Sequence, residues 1–230
     1  MHSVSYIERR DRLETYFDRT AVEAWSRLTS DAPVGRIRAT VRKGRDGMRN
    51  TLLGWLPEDM TGCRLLDAGC GTGMLALEAA RRGAEVVAID LSPTLVGLAR
   101  ERMPAGLDVD FRVGDMLDPG LGRFDHVVAM DSLIHYRAPD MARAVKALAD
   151  RTRASVLFTF APRTPALATM HAVGKLFPRG NRAPAIEPVR EAGLRRLLAS
   201  EVGRWRPSRT ERVACGFYTS QALELVPHDH

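Results

Sequence analysis

The sequence predicts an α/β fold, a mainly parallel sheet covered by helices on both faces. Three observations carry that prediction. Between residues 60 and 160, short apolar runs alternate with amphipathic ones, the pattern of strands buried on both faces and joined by helices. The first apolar run passes straight into a glycine-rich turn, "LLDAGCGTG" at 65–73. The last forty residues add two strand-like runs, "RTERVAC" and "GFYTSQALELV", which close such a sheet with an antiparallel pair.

Taken in order, residues 5–28 read as an amphipathic helix, or two. Tyr6, Leu13, Tyr16, Phe17, Trp25 and Leu28 recur there at near-helical spacing. "TSDAPVG" breaks the pattern. A helix over 36–56 follows, with Ile37, Val41, Met48, Leu52 and Trp55 on one face and Pro57 as its stop. "CRLLDAG" is the first strand. "MLALEAARRG" is a helix closed by Gly83. "EVVAID" is the second strand, and "SPTLVGLARERM" a helix with Ser92 as N-cap and Pro93 at its first position. "LDVDFRVGD", "RFDHVVAM" and "ASVLFTFAP" are the third to fifth strands, with the helix "APDMARAVKALADRT" between the last two. Beyond Pro162, Thr164 caps and Pro165 opens a helix whose Leu167, Met170, Val173, Leu176 and Phe177 share a face. That helix follows a strand's C-terminal end, where open α/β sheets bind ligands. A last helix spans about 188–200. The chain thus reads as one domain in four parts: an N-terminal helical arm (1–57), a core (58–162), a lid (163–187) and a segment that completes the sheet (188–230).

The totals narrow the class. A chain of 230 residues, 45% hydrophobic and 27% charged, builds its core without staples. Cys63, Cys70 and Cys215 form no CxxC and no even set, which argues for a reducing compartment, the cytoplasm, and against zinc or disulfides; no metal site is expected. No apolar run approaches the ~20 residues of a membrane span, and the start "MHSVSYIERRDRLE" has no apolar signal core. Net charge is +6, nearly all of the positive charge being arginine. Charges of both signs are interspersed, except from Arg163 to Arg182, where Arg163, Lys175, Arg179 and Arg182 stand without an acid.

The glycine-rich turn is the strongest chemical signal. Gly69, Gly71 and Gly73 let the backbone turn sharply and lie close to a ligand. The spacing is GxGxG rather than the GxGxxG of a dinucleotide site. Asp67 stands on the strand just before it, where it would repel a pyrophosphate and favour a ligand with an ammonium and a sulfonium. That points to S-adenosyl-L-methionine. Asp90 and Leu91 end the second strand, where a carboxylate accepts from ribose hydroxyls. Asp115 and Met116 end the third, suited to an adenine amino group and ring face. Cys70 lies inside the turn, and Asp131 and Ser132 shape the cofactor pocket from the fourth strand's end. The bland reading of the glycines alone is a tight turn; three acids at successive strand ends are far more specific. The set resembles motifs I to III of class I S-adenosylmethionine-dependent methyltransferases. The resemblance implies their Rossmann-like fold, seven strands with the last antiparallel.

At the fourth strand's end stands "MDSLIHY" (130–136). The D/N-P-P-Y/F pattern of amide-nitrogen methyltransferases is absent, and no nucleic-acid partner is expected. "YFDRTAVEAWSRL" (16–28), "VRKGRDGM" (41–48), "MDSLIHY", "FTFAPRTPAL" (158–167), "LFPRGNRAP" (176–184) and "CGFYTSQALE" (215–224) together resemble the magnesium-protoporphyrin O-methyltransferases of chlorophyll and bacteriochlorophyll biosynthesis. Two positions depart from that pattern: Arg45 where a His often follows "RKG", and Arg137 where Pro often follows "LIHY". The resemblance implies esterification of one propionate of magnesium-protoporphyrin IX. It also implies a monomer that works in the cytoplasm or at the surface of a photosynthetic membrane, and the porphyrin-binding subunit of magnesium chelatase as a partner. A porphyrin is an apolar disc with two carboxylates. The lid helix offers an apolar face, Arg163, Lys175, Arg179 and Arg182 offer cations, and the N-terminal helices offer Tyr16, Phe17 and Trp25 and the basic run Arg42, Lys43 and Arg45. The acceptor is already ionised at neutral pH, so His135 is expected to aim the carboxylate rather than serve as an obligatory base, and Tyr16 to close the site. A quinone-like phenol is the alternative acceptor, and it would need deprotonation.

Overall fold

The computed structural model describes residues 3–19, 35–163 and 186–228. Seven strands form one sheet: β1 (Arg64–Ala68), β2 (Glu85–Asp90), β3 (Asp110–Val113), β4 (Phe124–Ala129), β5 (Thr152–Phe160), β6 (Trp205–Cys215) and β7 (Tyr218–Pro227), in the order β3-β2-β1-β4-β5-β7-β6. β1 to β5 pair in parallel, while β7 is antiparallel to both β5 and β6. Strand order reverses beside β1, where β2 lies to one side and β4 to the other. That switch point opens the crevice in which such sheets take ligands.

The period-2 alternation of each strand feeds two cores. Leu65, Val86, Ala88, Val128 and Leu157 face one side, with Met48 and Leu52 of α2 (Arg36–Trp55), α3 (Met74–Arg81) and α4 (Pro93–Glu101). Leu66, Val87, Ile89, Val127 and Phe158 face the other, with Tyr6 and Leu13 of α1 (Val4–Arg19), α5 (Ala138–Ala149) and α6 (Glu191–Glu201). Leu65 and Leu66 are fully buried on opposite faces. Each contributes about 2 kcal/mol of apolar burial, so β1 is anchored from both faces.

Helix ends follow local chemistry. Leu56 is extended, φ −88 and ψ 158, as a residue before proline is pushed to be, and α2 ends there. Ser92 caps α4, its Oγ accepting from the Leu95 amide at 3.2 Å, with Pro93 next. β3 is only four residues, shorter than the expected run over 107–115. α6 begins at Glu191 rather than near 188; Arg190 precedes it in extended backbone, and Val189 bridges to Pro162. The expected helix after Pro162 lies outside the described residues. Its two flanks meet, however: the Arg163 amide donates to the Val189 carbonyl at 2.9 Å, and the Glu187 amide to the Ile134 carbonyl at 2.9 Å.

β6 is a sheet edge. It carries a register shift between Pro207 and Thr210, and Arg209 folds back on Glu224, 2.5 Å away, across the Trp55 ring. The β6–β7 turn abuts α2. A Cβ on Gly44 would lie 2.4 Å from the Tyr218 ring, and one on Gly216 2.4 Å from Thr40 Oγ1. Glycine at 44 therefore lets α2 lie against the hairpin, at the same end of the sheet as the glycine-rich turn.

Candidate active site

A cavity of about 270 Å³ lies at the C-terminal ends of β1, β2 and β4, the size range of a small-molecule site. Asp67, Gly69, Cys70, Gly71, Asp90, Leu91, Asp115, Met116, Asp131, Ser132 and His135 all line it.

The wall formed by β1 and β2 is acidic. Asp67 is 2% exposed and accepts from the Ala76 amide at 3.1 Å, in the first turn of α3. Burial pushes its carboxyl up to about 7; the Ala76 N–H opposes the rise and the Asp90 charge adds to it. Burial likewise raises Asp90, against the Ser92 and Gly71 N–H groups, which donate to its two oxygens at 3.0 and 2.8 Å. Among the described residues neither acid makes an ion pair. Buried carboxylates without cations favour a cationic ligand. Burial also raises the Cys70 thiol, with Asp90 and Asp67 adding, so Cys70 is no thiolate nucleophile.

The glycines of the turn divide their work. A Cβ on Gly69 would lie 2.4 Å from Ser132 Cβ, so glycine there lets the turn touch the end of β4. At Gly71, φ is +53 and nothing stands within 4 Å of a Cβ; this is the open cradle on the cavity side. Gly73 does not line the cavity. It starts α3 in a left-handed conformation, packed so that a Cβ would meet the Phe111 ring at 2.9 Å. Its glycine answers to packing rather than to a ligand.

The opposite wall is basic. α2 presents Arg42, Arg45 and Arg49 at helical spacing, together with Asp46. Asp46 pairs with Arg49 at 2.9 Å. Arg45 Nη1 reaches Asp131 Oδ2 at 2.9 Å. Asp131 has a left-handed backbone, φ 54, and its side chain is 5% exposed. Its carboxylate also accepts from Tyr218 Oη (3.2 and 3.1 Å), Ser220 Oγ (3.1 Å) and Thr159 Oγ1 (3.1 Å). Thr159 Oγ1 also accepts from the Asp131 amide at 2.7 Å. Ser132 Oγ is buried with no hydrogen-bond partner among the described residues. His135 lies in a 3-10 turn, Leu133–His135, 7% exposed, with its ring edge-on to Phe17 at 5.8 Å between centroids.

α1 closes the third side. Tyr6, Leu13 and Phe17 face the cavity. Tyr6 stacks on Tyr136 at 4.8 Å, and its hydroxyl donates to Asp115 Oδ1 at 2.8 Å. Arg10 Nη1 approaches Asp115 Oδ2 at 3.3 Å, so the acid expected to meet adenine also holds α1. Burial, the nearby Tyr136 and the Asp115 charge raise the Tyr6 phenol well above its usual range. The ends of α1 are staked too: Ser3 and Ser5 donate to Asp140 at 2.6 and 2.7 Å, and Thr94 Oγ1 to Asp18 at 2.7 Å.

The sequence-named residues outside this wall are few. Tyr16 is half-buried and edge-on to Phe17 at 5.3 Å, not on the wall; Phe17 and Tyr6 are the aromatics that α1 turns inward. Lys43 is exposed, because the inward phase of α2 selects 42, 45 and 49. Arg163 is exposed at the end of β5. Lys175 and Arg179 lie outside the described residues. Tyr136, Arg49 and the hub of hydroxyls behind Asp131 were not foreseen. Helical phase pointed to Arg49, but nothing local pointed to Thr159, Tyr218 and Ser220.

Comparison with known proteins agrees with this geometry. A model described as "Methyltransferase domain" matches residues 65–155, and "Magnesium-protoporphyrin IX methyltransferase C-terminus" matches residues 129–227. The magnesium-protoporphyrin O-methyltransferase of Rhodobacter capsulatus is 52% identical over 225 residues, covering 96% of this chain and 98% of that protein. The chloroplastic magnesium protoporphyrin IX methyltransferase of Arabidopsis thaliana is 33% identical, over 95% of this chain and 71% of that one. A crystal structure of magnesium protoporphyrin IX methyltransferase from Synechocystis PCC 6803 with bound SAH superposes with a TM-score of 0.84 at 28% identity, covering 95% of this chain and all of that one. The fold is that of class I S-adenosylmethionine-dependent methyltransferases, and the chain belongs to the magnesium-protoporphyrin O-methyltransferase family.

Proposed function

We infer that the chain transfers a methyl group from S-adenosylmethionine to one propionate carboxylate of magnesium-protoporphyrin IX, giving the monomethyl ester. The observation that carries this is a single cavity with buried acids on one wall and three arginines on the other. The acids suit a cationic methyl donor and the arginines an anionic acceptor.

S-adenosylmethionine, when bound, supplies the methyl group as a sulfonium. Asp67, whose carboxyl is pushed up to about 7 in the free protein and is therefore about half protonated at neutral pH, ionises fully against a cation. Asp90, already braced by the Gly71 and Ser92 amides, has lone pairs left for two hydroxyls. Gly71 gives the open backbone surface. A propionate resembles a Glu side chain, with a pKa of about 4.3, and is ionised without help. The protein's task is then to hold and dry it. Positioning of this kind contributes roughly 7–11 kcal/mol in favourable cases. His135, buried on the wall beside Phe17, orients the carboxylate. Tyr16 closes the rim, and Arg163, Lys175 and Arg179 hold the acceptor's outer edge, as the family resemblance implies.

The test is incubation with magnesium-protoporphyrin IX and S-adenosylmethionine, read by mass spectrometry. A product heavier by one methylene supports the reading; its absence under conditions where the cofactor binds defeats it. A phenol acceptor requires a base, so His135→Ala would then lose rate with a strong pH dependence, whereas a carboxylate acceptor gives a pH-flat loss. Two finer proposals rest on the same reading. The porphyrin-binding subunit of magnesium chelatase delivers the acceptor to a monomer. The monomer works in the cytoplasm at a membrane face; the arginine-rich charge supports this, and among the described residues no helix is long and apolar enough to cross a membrane.

A further inference from the structure

Arg45 is a cation of the cavity wall that is fixed from behind. Gly44 lets α2 lie against the Tyr218 ring. The next residue, Arg45, meets Asp131, which Tyr218, Ser220 and Thr159 hold on their hydroxyls. Segments 45, 131, 159 and 218–220 thus converge on one carboxylate in a left-handed backbone. Arg45 is itself a lining residue of the cavity, with 21% of its side-chain surface exposed. Arg42 and Arg49 line the same wall, so guanidinium donors are gathered around Arg45 there. Asp131 is next to Ser132 and four residues from His135, both on the wall.

We propose that Arg45, held by Asp131, takes the acceptor carboxylate that is to be esterified and so selects acceptors with a free acid arm over neutral ones. The inference rests on the carboxylate-acceptor reading above. A guanidinium has five donors in a planar fork, so it replaces the water that a carboxylate sheds on entry while leaving one oxygen lone pair for the methyl carbon. In the transfer the oxygen–carbon bond forms, the carbon–sulfur bond breaks, its electron pair returns to sulfur, and no proton moves. The ester no longer carries the charge that Arg45 held, so the reaction itself loosens the product.

The experiment titrates magnesium-protoporphyrin IX and its dimethyl ester, by porphyrin fluorescence, into the wild type, Arg45→Met and Arg45→Gln. Cofactor affinity by calorimetry and circular dichroism check the fold. Asp131 keeps three hydroxyl donors in either variant, so it is not orphaned. The wild type should prefer the diacid by about 50-fold, as a hydrogen-bonded charge predicts. Either variant should reduce that preference to about 5-fold or less and raise KM for the diacid more than it lowers kcat. A variant that binds cofactor and keeps the wild-type preference overturns the proposal. A wild type that makes no methylated porphyrin overturns instead the function reading, which separates the two failures.

Discussion

The two walls of the cavity are built in opposite ways. On the acidic wall, each acid is satisfied by amides within twenty residues of it: Asp90 by Gly71 and Ser92, Asp67 by Ala76. On the basic wall, Asp131 draws its partners from residues 45, 159, 218 and 220. The acidic wall is therefore complete once β1, β2 and their turns have formed. The basic wall exists only when the whole sheet and α2 are in place. One cavity thus joins a wall built from neighbouring strands and turns to a wall built from distant segments.

The sharpest way to break the contrast is Asp131→Ala. It removes the acceptor from four donors and leaves Arg45 facing no acid there. Arg45 keeps 21% of its side-chain surface exposed, so the loss falls below that of a fully buried pair, at about 2 kcal/mol, and the melting temperature should fall by roughly 5 °C in scanning calorimetry. A fall of under about 2 °C would mean that the hub does not hold the wall together. Next, Asp67→Asn keeps the acceptor for Ala76 but removes the charge. Cofactor affinity should drop about 100-fold by calorimetry, in line with a buried charged contact, while the melting temperature barely moves.

Gly71→Ala points a methyl into the cavity from a left-handed backbone. It should cost about 1 kcal/mol of stability and weaken cofactor binding roughly tenfold, whereas Gly69→Ala, which would drive a Cβ into Ser132, should damage the fold more. Proton linkage tests the same wall without mutation. Folded Asp67 stays protonated up to about 7, whereas its ordinary value is 3.8. In the free protein its stabilising contribution is therefore full below 3.8 and is lost as pH rises through about 7. A cationic cofactor wants the ionised form, so affinity should rise with pH up to that value, by at most about tenfold per unit, and then level. Calorimetry near pH 6 (~1 unit below that value) in buffers of different ionisation heat should register about one proton released; no release would place the charge elsewhere. The smallest effect is Tyr6→Phe, which keeps the stack on Tyr136 and loses the hydrogen bond to Asp115, about 1 kcal/mol in urea titration.

The contrast also explains what the sequence could show. The alternation of strands and helices, the antiparallel end of the sheet and the Ser92 cap were legible because each is local. So was the placement of Asp67, Asp90 and Asp115, since strand ends in a parallel sheet fall along one edge. Gly73 was legible as a glycine but not in purpose, for its neighbour Phe111 lies on another strand. The choice of Tyr6 and Phe17 over Tyr16 depends on the rotation of α1 about its axis, set by Tyr136 and His135 far along the chain. Lys43 was read with Arg42 as one run, yet a helix turns adjacent residues about 100° apart. Asp131 was placed in the pocket, but its partners at 159, 218 and 220 leave no spacing signal in a single chain.

The edges of the sheet bear on how copies of this chain meet. β3 offers only four residues for pairing, and β6 is broken in register at Pro207 and lined with arginines at 206, 209 and 212. Short, kinked and cationic edges are poor templates for another strand. Assembly by joining sheets into a continuous ribbon is thereby discouraged, and so is the first step toward fibrous aggregates.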